Sequence, residues 1–513
     1  MSDNSSTKRL AKNTLMMYIR MGITMIVGLV TARVVLQSLG VEDFGLYNAV
    51  NGIVVLIIFL NNSLTLATQR YLSYAMGIND VERIRNVFNA SYIIYIGLAL
   101  LVLLLGETLG LWFLNTKMEF PDGKENLANF VYQFSLIITC LNIIRAPYSA
   151  LFISAEKLDF YAISAIVESV LHLIFVFLLL VVPFSPSYVY VVFQMLTSLA
   201  ILMWFHVYYK KCFGSQVTFH RVTDKNLFKE ILSFSGWGVL GSSAVIGFQQ
   251  GINILLNIFF GVTINASFGI ANRVSAMVNQ FFTGFQTAAN PQITKAYASG
   301  DVSHQTNLIN KTSKISFFLL MIVGIAVIYN VEYLLKVWLK EVPAHTEALC
   351  SLMIIGAMVD ALSSPLYVTV YATGKVKWYQ IVISIILLMN LVLSYIFFRM
   401  EMPVESCMYA RIGLFIVAYI ARLFFVKHYT SIDITNILRE VIVPVVFISA
   451  IVSTVVFFLW GISNPIIRLF VITPTLLLFM LSMSYFIGCN KNEKQEIAQI
   501  KNKYVKSKIR HKV

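Results

Sequence analysis

Long apolar runs, separated by short polar or Gly/Pro-containing breaks, dominate the chain from end to end. A membrane-spanning helix needs about 20 such residues. Scanning for runs of that length predicts helices over residues 12–37, 45–69, 89–113, 128–152, 160–182 and 187–209, then 229–258, 265–294, 313–331, 346–371, 378–398 and 405–427, with a last pair over 437–460 and 465–488. The runs are too long for buried strands, and the period-two alternation of a membrane barrel is absent. The pattern predicts an all-α polytopic membrane protein of about 14 transmembrane helices.

Composition agrees: of 513 residues, 58% are hydrophobic and 12% charged, against about 25% charged in soluble domains. That excludes a water-soluble enzyme and leaves almost nothing for an extramembrane domain. The 39 Lys and Arg outnumber the 25 Asp and Glu, for a net charge of +14, which in a soluble protein would suggest a nucleic-acid partner. Here the charge resolves into topology. With the N-terminus in the cytoplasm, 27 cationic side chains fall in cytoplasmic segments, eight of them between Lys491 and Lys512, while Lys117, Lys124, Lys336, Lys340, Arg399 and Arg468 fall outside. This positive-inside bias predicts an even number of spans with both termini cytoplasmic, and no nucleic-acid partner. The first apolar run follows Lys8, Arg9 and Lys12, carries Arg20 and Arg33 and lacks a small-residue cleavage site, so no cleaved signal peptide is expected. Cys140, Cys212, Cys350, Cys407 and Cys489 are widely scattered and read as free thiols, with no metal-ligand spacing.

The two sets of six helices also resemble each other. Gly40-Val41-Glu42-Asp43-Phe44-Gly45-Leu46-Tyr47-Asn48-Ala49-Val50 is echoed by Gly261-Val262 and, after a longer spacer, Phe268-Gly269-Ile270-Ala271-Asn272-Arg273-Val274. Each echo joins the first helix of its set to the second. A duplicated six-helix unit gives two copies of the same orientation, related by a pseudo-two-fold axis along the membrane normal, with substrate sites expected between the lobes near the midplane. The expected organisation is an N-lobe over 1–212, a C-lobe over 213–428, two further helices over 429–488 and a basic cytoplasmic tail over 489–513. With Ile497, Ile500 and Tyr504 at helical spacing, the tail is expected to lie on anionic membrane lipids.

Ser38-Leu39-Gly40-x-x-x-Phe44-Gly45-x-Tyr47, the helix 7 opening Phe234-Ser235-Gly236-Trp237, and Phe260-Gly261 with Phe268-Gly269-Ile270-Ala271 carry a resemblance along the whole chain. The chain resembles the multidrug/oligosaccharidyl-lipid/polysaccharide exporter superfamily, and within it the polysaccharide branch of O-antigen and capsule-type flippases. The resemblance implies a transporter rather than an enzyme, moving a polyprenyl-pyrophosphate-linked oligosaccharide to the outer leaflet by alternating access. It further implies coupling to H+ or Na+ without a cofactor, and a place beside polysaccharide-assembly proteins in polysaccharide or lipopolysaccharide biosynthesis.

Six arginines fall within predicted spans: Arg20, Arg33, Arg145, Arg273, Arg411 and Arg422. A charge at membrane depth costs about 2.5–3.5 kcal/mol or more and usually faces a cavity or a partner. Clear acidic counterparts are only Glu168 and Asp360, with Glu107 near the outer end of helix 3. A net cationic interior suits a pyrophosphate, whose oxygens the planar guanidinium fork binds bidentately. Arg20 lies about 12 Å inside helix 1 at 1.5 Å per residue, and Arg273 lies as deep in helix 8. The resemblance adds that lipid II flippases carry cavity arginines on helices 1 and 8. Those relatives also have one inside helix 2, where this chain has Asn48, Asn51, Asn61 and Asn62 instead.

Arg145 and Arg33 complete the candidate pyrophosphate contacts, although Arg33, Arg411 and Arg422 are shallow enough to snorkel to the interface. Asn51, Gln249, Gln250, Asn253, Asn279, Gln280 and Gln286 offer hydrogen bonds either to a glycan or between helices. Glu168 and Asp360 either neutralise an arginine or hold a coupling ion, His172 lying one turn beyond Glu168. Gly236, Gly238, Gly241, Gly247 and Gly251 suit helix 7 to bending or close packing, and Pro291 is expected to kink helix 8.

Two other functions compete. A drug or cation exporter of the same fold would want more interior acids. A polytopic glycosyltransferase using a polyprenyl-linked donor could use Glu42 and Asp43 in the first outer loop, but no predicted outer loop is large enough for a substrate-binding domain.

Overall fold

The computed structural model describes residues 2–118, 123–214, 217–220, 222–339, 342–462, 464–490 and 493–495. Ile497, Ile500 and Tyr504 lie outside them. Helices dominate, and no strand occurs among the described residues. The chain enters as one helical run, Ser2–Gly77, broken at Gly40 (φ 78°, ψ 167°) into α1 (2–40) and α2 (41–77). There follow α3 (Val81–Thr116), α4 (Glu125–Ser154), α5 (Leu158–Leu178) and α6 (Pro186–Phe213). A second long run, Lys225–Ala298, breaks at Gly261 (φ 82°, ψ −176°) into α7 (225–261) and α8 (262–298). The chain continues as α9 (Val302–Tyr329), α10 (Thr346–Thr373), α11 (Lys377–Arg399), α12 (Ser406–Tyr429), α13 (Ile434–Leu459) and α14 (Pro465–Gly488). Twelve segments among the described residues are long and apolar enough to cross a membrane, which makes this a multi-pass membrane protein.

Where the sequence predicts loops between helices 1 and 2 and between helices 7 and 8, the structure has a single glycine. Each adopts a positive φ that other residues enter only with strain, and helix continues on both sides. Helix α9 starts well ahead of its expected position because Asp301 caps it, accepting from the His304 backbone N–H at 2.9 Å. A short helix, Val331–Leu339, too brief to read as a membrane span in the sequence, follows α9.

Leu15–Ser242 form one compact unit, and Ser243 onward, with the segment up to Thr14, forms the other. The division falls inside α7 rather than at the expected 212/213, because the first half of α7 packs in the first unit. There Ser242 Oγ lies 3.2 Å from Ser63 Oγ, and the Phe234 ring meets Tyr71 edge-on at 5.9 Å. Within the first unit α3 packs on α4, α4 on α6 and α5 on α6. Within the second, α9 packs on α10, α10 on α12 and α11 on α12. The same three pairings recur in the same order, as a duplicated six-helix unit produces. Lipid tails are as apolar as these side chains, so close packing and interhelical hydrogen bonds hold such helices together. Gly324 illustrates the closeness: a Cβ there would lie 2.5 Å from Met358 and 2.7 Å from Ile354.

Helices α13 and α14, expected as a separate segment, dock on α9 within the second unit. At one end Tyr329 donates to the Leu459 carbonyl and Asn330 to Thr473 Oγ1, both at 2.8 Å. At the other, the buried Lys314 ammonium donates to the Gly488 carbonyl at 3.1 Å and to Glu493 at 2.7 Å.

Each unit also ties together the heads of its second, fourth and sixth helices. In the first, Asp43 at the start of α2 accepts from Lys124, just ahead of α4, at 2.7 Å, and from the Ser187 hydroxyl on α6. Burial alone would raise the Asp43 carboxyl. The hydrogen bonds from Lys124 and Ser187, with the Lys124 charge, outweigh it and hold the carboxyl below its ordinary value. In the second unit Ser267 on α8 donates to the Ala344 carbonyl at 2.8 Å, and His345 Nδ1 meets Glu405 Oε1 at 2.6 Å, joining the heads of α10 and α12.

Candidate functional site

The membrane-depth arginines divide into two kinds. Arg145 on α4 reaches across to α5, where its Nη1 lies 2.9 Å from Glu168 Oε2, both side chains partly shielded. Phe205 on α6 covers the guanidinium at 5.7 Å. In the second unit Arg422 on α12 places Nη1 3.2 Å from Asp360 Oδ1 on α10 and Nε 3.2 Å from the Tyr379 hydroxyl on α11. Tyr379 in turn meets Tyr371 edge-on at 5.9 Å, and Gln380 donates to the Tyr371 hydroxyl at 2.7 Å. Both candidate coupling acids are thus bonded to an arginine of their own unit.

The remaining four arginines, Arg20, Arg33, Arg273 and Arg411, have no carboxylate partner among the described residues. Arg20 is half-buried; its guanidinium lies over the Tyr161 ring at 5.1 Å, and its hydrogen bond is a weak one to Met17 Sδ at 4.0 Å. Arg33 and Arg273 are exposed. Arg411 lies between two rings, Phe248 at 5.4 Å and Phe415 at 5.2 Å.

Two sequence expectations need correction here. Arg422 does not snorkel: it is 8% exposed, with Nη1 bonded to Asp360 and Nε to Tyr379. Arg411 does not reach outward either, because it shares the α12 face of Phe415, Ala418 and Arg422, whereas Tyr409, Ile416, Ile420 and Phe424 form the exposed face. Projecting α12 at 3.6 residues per turn separates the two faces, and this is the signal that would have found Arg411. Lys314, which the sequence places among the loop cations, is instead buried, 3% exposed, and paired with Glu493.

His172 lines a cavity of about 270 Å³ within the first unit, together with Thr31, Phe44, Tyr47, Ser169 and Tyr190. Tyr47 donates to Gln194 at 2.6 Å and packs edge-on against Tyr190 at 5.2 Å. The Thr31 hydroxyl is buried without a hydrogen-bond partner among the described residues. The side chain of Asn51 lies outside the described residues. Gln249 and Gln250 are exposed on α7. Asn279 donates to Ser275 at 3.5 Å, and its carbonyl oxygen is buried and unpaired.

The helix 7 glycines separate into different roles. A Cβ on Gly251 would lie 2.4 Å from Leu391 Cδ2, one on Gly247 would make an ordinary 3.7 Å contact with Leu388, and one on Gly236 would meet nothing within 4 Å. Gly251 is a packing glycine. Helix α8 runs through the buried Pro291 to Ala298 without a residue leaving helical dihedrals after Gly261.

Comparison with known proteins places this architecture. A family model described as a polysaccharide biosynthesis protein matches residues 10–297, and a MatE model matches residues 239–396. Among solved structures, the crystal structure of a MATE point mutant is similar with a TM-score of 0.71 at 13% identity, covering 83% of this chain and 97% of that one. An outward-facing multidrug resistance MATE family transporter of the MOP superfamily gives 0.68 at 16% identity, covering 83% and 96%. A MOP superfamily transporter from Pyrococcus furiosus, described as having a binding pocket of reverse polarity, gives 0.67 at 16% identity, covering 84% and 96%. At these identities the likeness is one of fold. No curated protein matches the chain.

Proposed function

Because the chain belongs to the polysaccharide biosynthesis protein family, within the superfamily of MATE-like membrane transporters, we propose that it translocates a polyprenyl-pyrophosphate-linked oligosaccharide across the bacterial cytoplasmic membrane. The observation that carries this reading is the imbalance of membrane-depth charge. Glu168 and Asp360 neutralise Arg145 and Arg422, and Arg20, Arg33, Arg273 and Arg411 are left without a carboxylate among the described residues. Cations held at membrane depth without counterions favour an anionic cargo, and a guanidinium offers a pyrophosphate two parallel charge-assisted hydrogen bonds.

In this reading Arg20 and Arg273 engage the pyrophosphate as access alternates between the two leaflets. The 27 to 6 bias of cationic side chains orients both termini to the cytoplasm, where the lipid-linked repeat unit would be loaded. Repeat-unit synthesis and polymerisation by polysaccharide-assembly proteins would flank the step. A cation exporter fits less well, since both clear interior acids are already bonded to arginines. A glycosyltransferase using Asp43 fits less well too, since that carboxylate is bonded to Lys124 and Ser187.

The test is complementation of a strain lacking the protein, scored by surface glycan. Loss of export in Arg20→Ala and Arg273→Ala at normal protein level is expected, and wild-type export by the double variant would refute the assignment. Purified protein in proteoliposomes should move a labelled lipid-linked oligosaccharide without changing its glycan mass; a mass change dependent on Asp43 would favour the transferase.

A further inference from the structure

We infer that Arg411 is a further phosphate-oxyanion contact, additional to Arg20 and Arg273, built into the second unit and held ready by two aromatic rings. The inference rests on the proposed function for the identity of its ligand, the pyrophosphate of the cargo. Arg411 sits about 8 Å into α12 and about 16 Å from Arg422 along the same face, at 1.5 Å per residue. That face also carries the buried Phe415 and Ala418, so the side chain points into the unit and away from the lipid-exposed Tyr409, Ile416, Ile420 and Phe424.

Phe248 and Phe415 lie 5.4 and 5.2 Å from the guanidinium carbon. A ring face attracts the charge but offers no lone pair, so these contacts do not supply the N–H donors with a conventional acceptor. Arg411 forms no hydrogen bond among the described residues, and its Nε is buried. Asp360 is close enough to act on Arg411 electrostatically, but its carboxylate is bonded to Arg422. A purely structural cation would be expected to have its donors satisfied. Arg422 has a carboxylate on Nη1 and a phenol on Nε; Arg411 has neither. Arg20 in the first unit shows the same combination of a ring over the guanidinium and no carboxylate partner among the described residues.

The test uses the full-length protein in phosphatidylcholine nanodiscs, with polyprenyl pyrophosphate and neutral polyprenol as probes. Arg411→Gln should weaken pyrophosphate binding at least about tenfold, the loss expected for a charge-assisted hydrogen bond, and leave polyprenol binding unchanged. Pyrophosphate affinity within about twofold of wild type, the change of a residue outside the contact, would overturn the inference. Arg411→Lys covers failure of the glutamine variant to fold: loss of the planar fork should cost about threefold or more, and wild-type affinity would overturn the inference.

If wild type itself fails to prefer pyrophosphate over polyprenol, the transport reading falls and the oxyanion must come from lipid. Phosphatidylglycerol titrated into the discs should then stabilise wild type but not Arg411→Gln. An equal response of both would overturn the oxyanion site as well.

Discussion

Arg422 is held between Asp360, 3.2 Å from its Nη1, and Tyr379, 3.2 Å from its Nε, so one buried guanidinium joins three helices of the second unit. Removing its counterion leaves a charge that the interior cannot solvate. Asp360→Asn should lower stability by about 2 kcal/mol, below the 3–5 of a fully buried pair because Asp360 is itself half exposed. The Asp360→Asn/Arg422→Met double variant should recover most of that loss. Thermal melting of the detergent-solubilised protein decides it; a double variant no better than the single would show that the pair contributes through something other than charge compensation.

Tyr161 should matter through its ring and not its hydroxyl. Under the proposed function, Tyr161→Phe keeps the face beneath Arg20 and should transport within about twofold of wild type, whereas Tyr161→Leu loses about 0.5–2 kcal/mol of cation–π interaction and should transport several-fold more slowly. Initial rates of lipid-linked oligosaccharide flipping in proteoliposomes separate the two; equal rates for both variants would dissociate Arg20 from the ring.

The tie at Asp43 should be acid-labile. Its carboxyl is held below the ordinary value in the folded protein, so its contribution is complete above the unfolded value of about 3.9 and is lost as pH falls through the lower folded value. The melting-temperature gap between wild type and Asp43→Asn should be constant from neutral to mildly acid pH and close below about pH 4. A gap that widens on acidification would reverse the sign of the interaction.

Two glycines on one helix should respond oppositely. Gly251→Ala drives a Cβ against Leu391 and should cost about 1 kcal/mol, the low end for overpacking because the leucine tip can shift. Gly236→Ala enters open space and should stabilise α7 by up to about 1 kcal/mol through helix propensity. Melting temperatures of the two variants check this, and a destabilised Gly236→Ala would reveal a constraint on that glycine other than space.

The helices were legible because length and apolarity alone specify a membrane span, and the repeat was legible because Phe44-Gly45 and Phe268-Gly269 each follow a joint glycine, Gly40 and Gly261, between the first and second helix of a set. The partners of the charges were not. Depth along α12 made Arg411 and Arg422 look like interfacial anchors; only their rotational position beside Phe415 and Ala418 shows that they turn inward. Lys314 looked like a loop residue because Asn307, Asn310 and Lys311 obscure the start of α9, and its partner Glu493 lies beyond α14, far along the chain. Glu168 meeting Arg145 depends on how α4 and α5 pack, which residue spacing within either helix does not determine.

The single-residue joints at Gly40 and Gly261 make the chain intolerant of altered length at two places. Helix resumes at once after each glycine, leaving no slack to absorb an added residue, and one residue turns a helix by about 100°. An insertion after Gly40 would swing Asp43 off Lys124 and Tyr47 off Gln194 together, and one after Gly261 would swing Ser267 off Ala344. In the connection between α5 and α6, over residues 179–185, the same insertion would be taken up by the turn. Length variation in related chains should therefore collect in such turns and stop at the two joints.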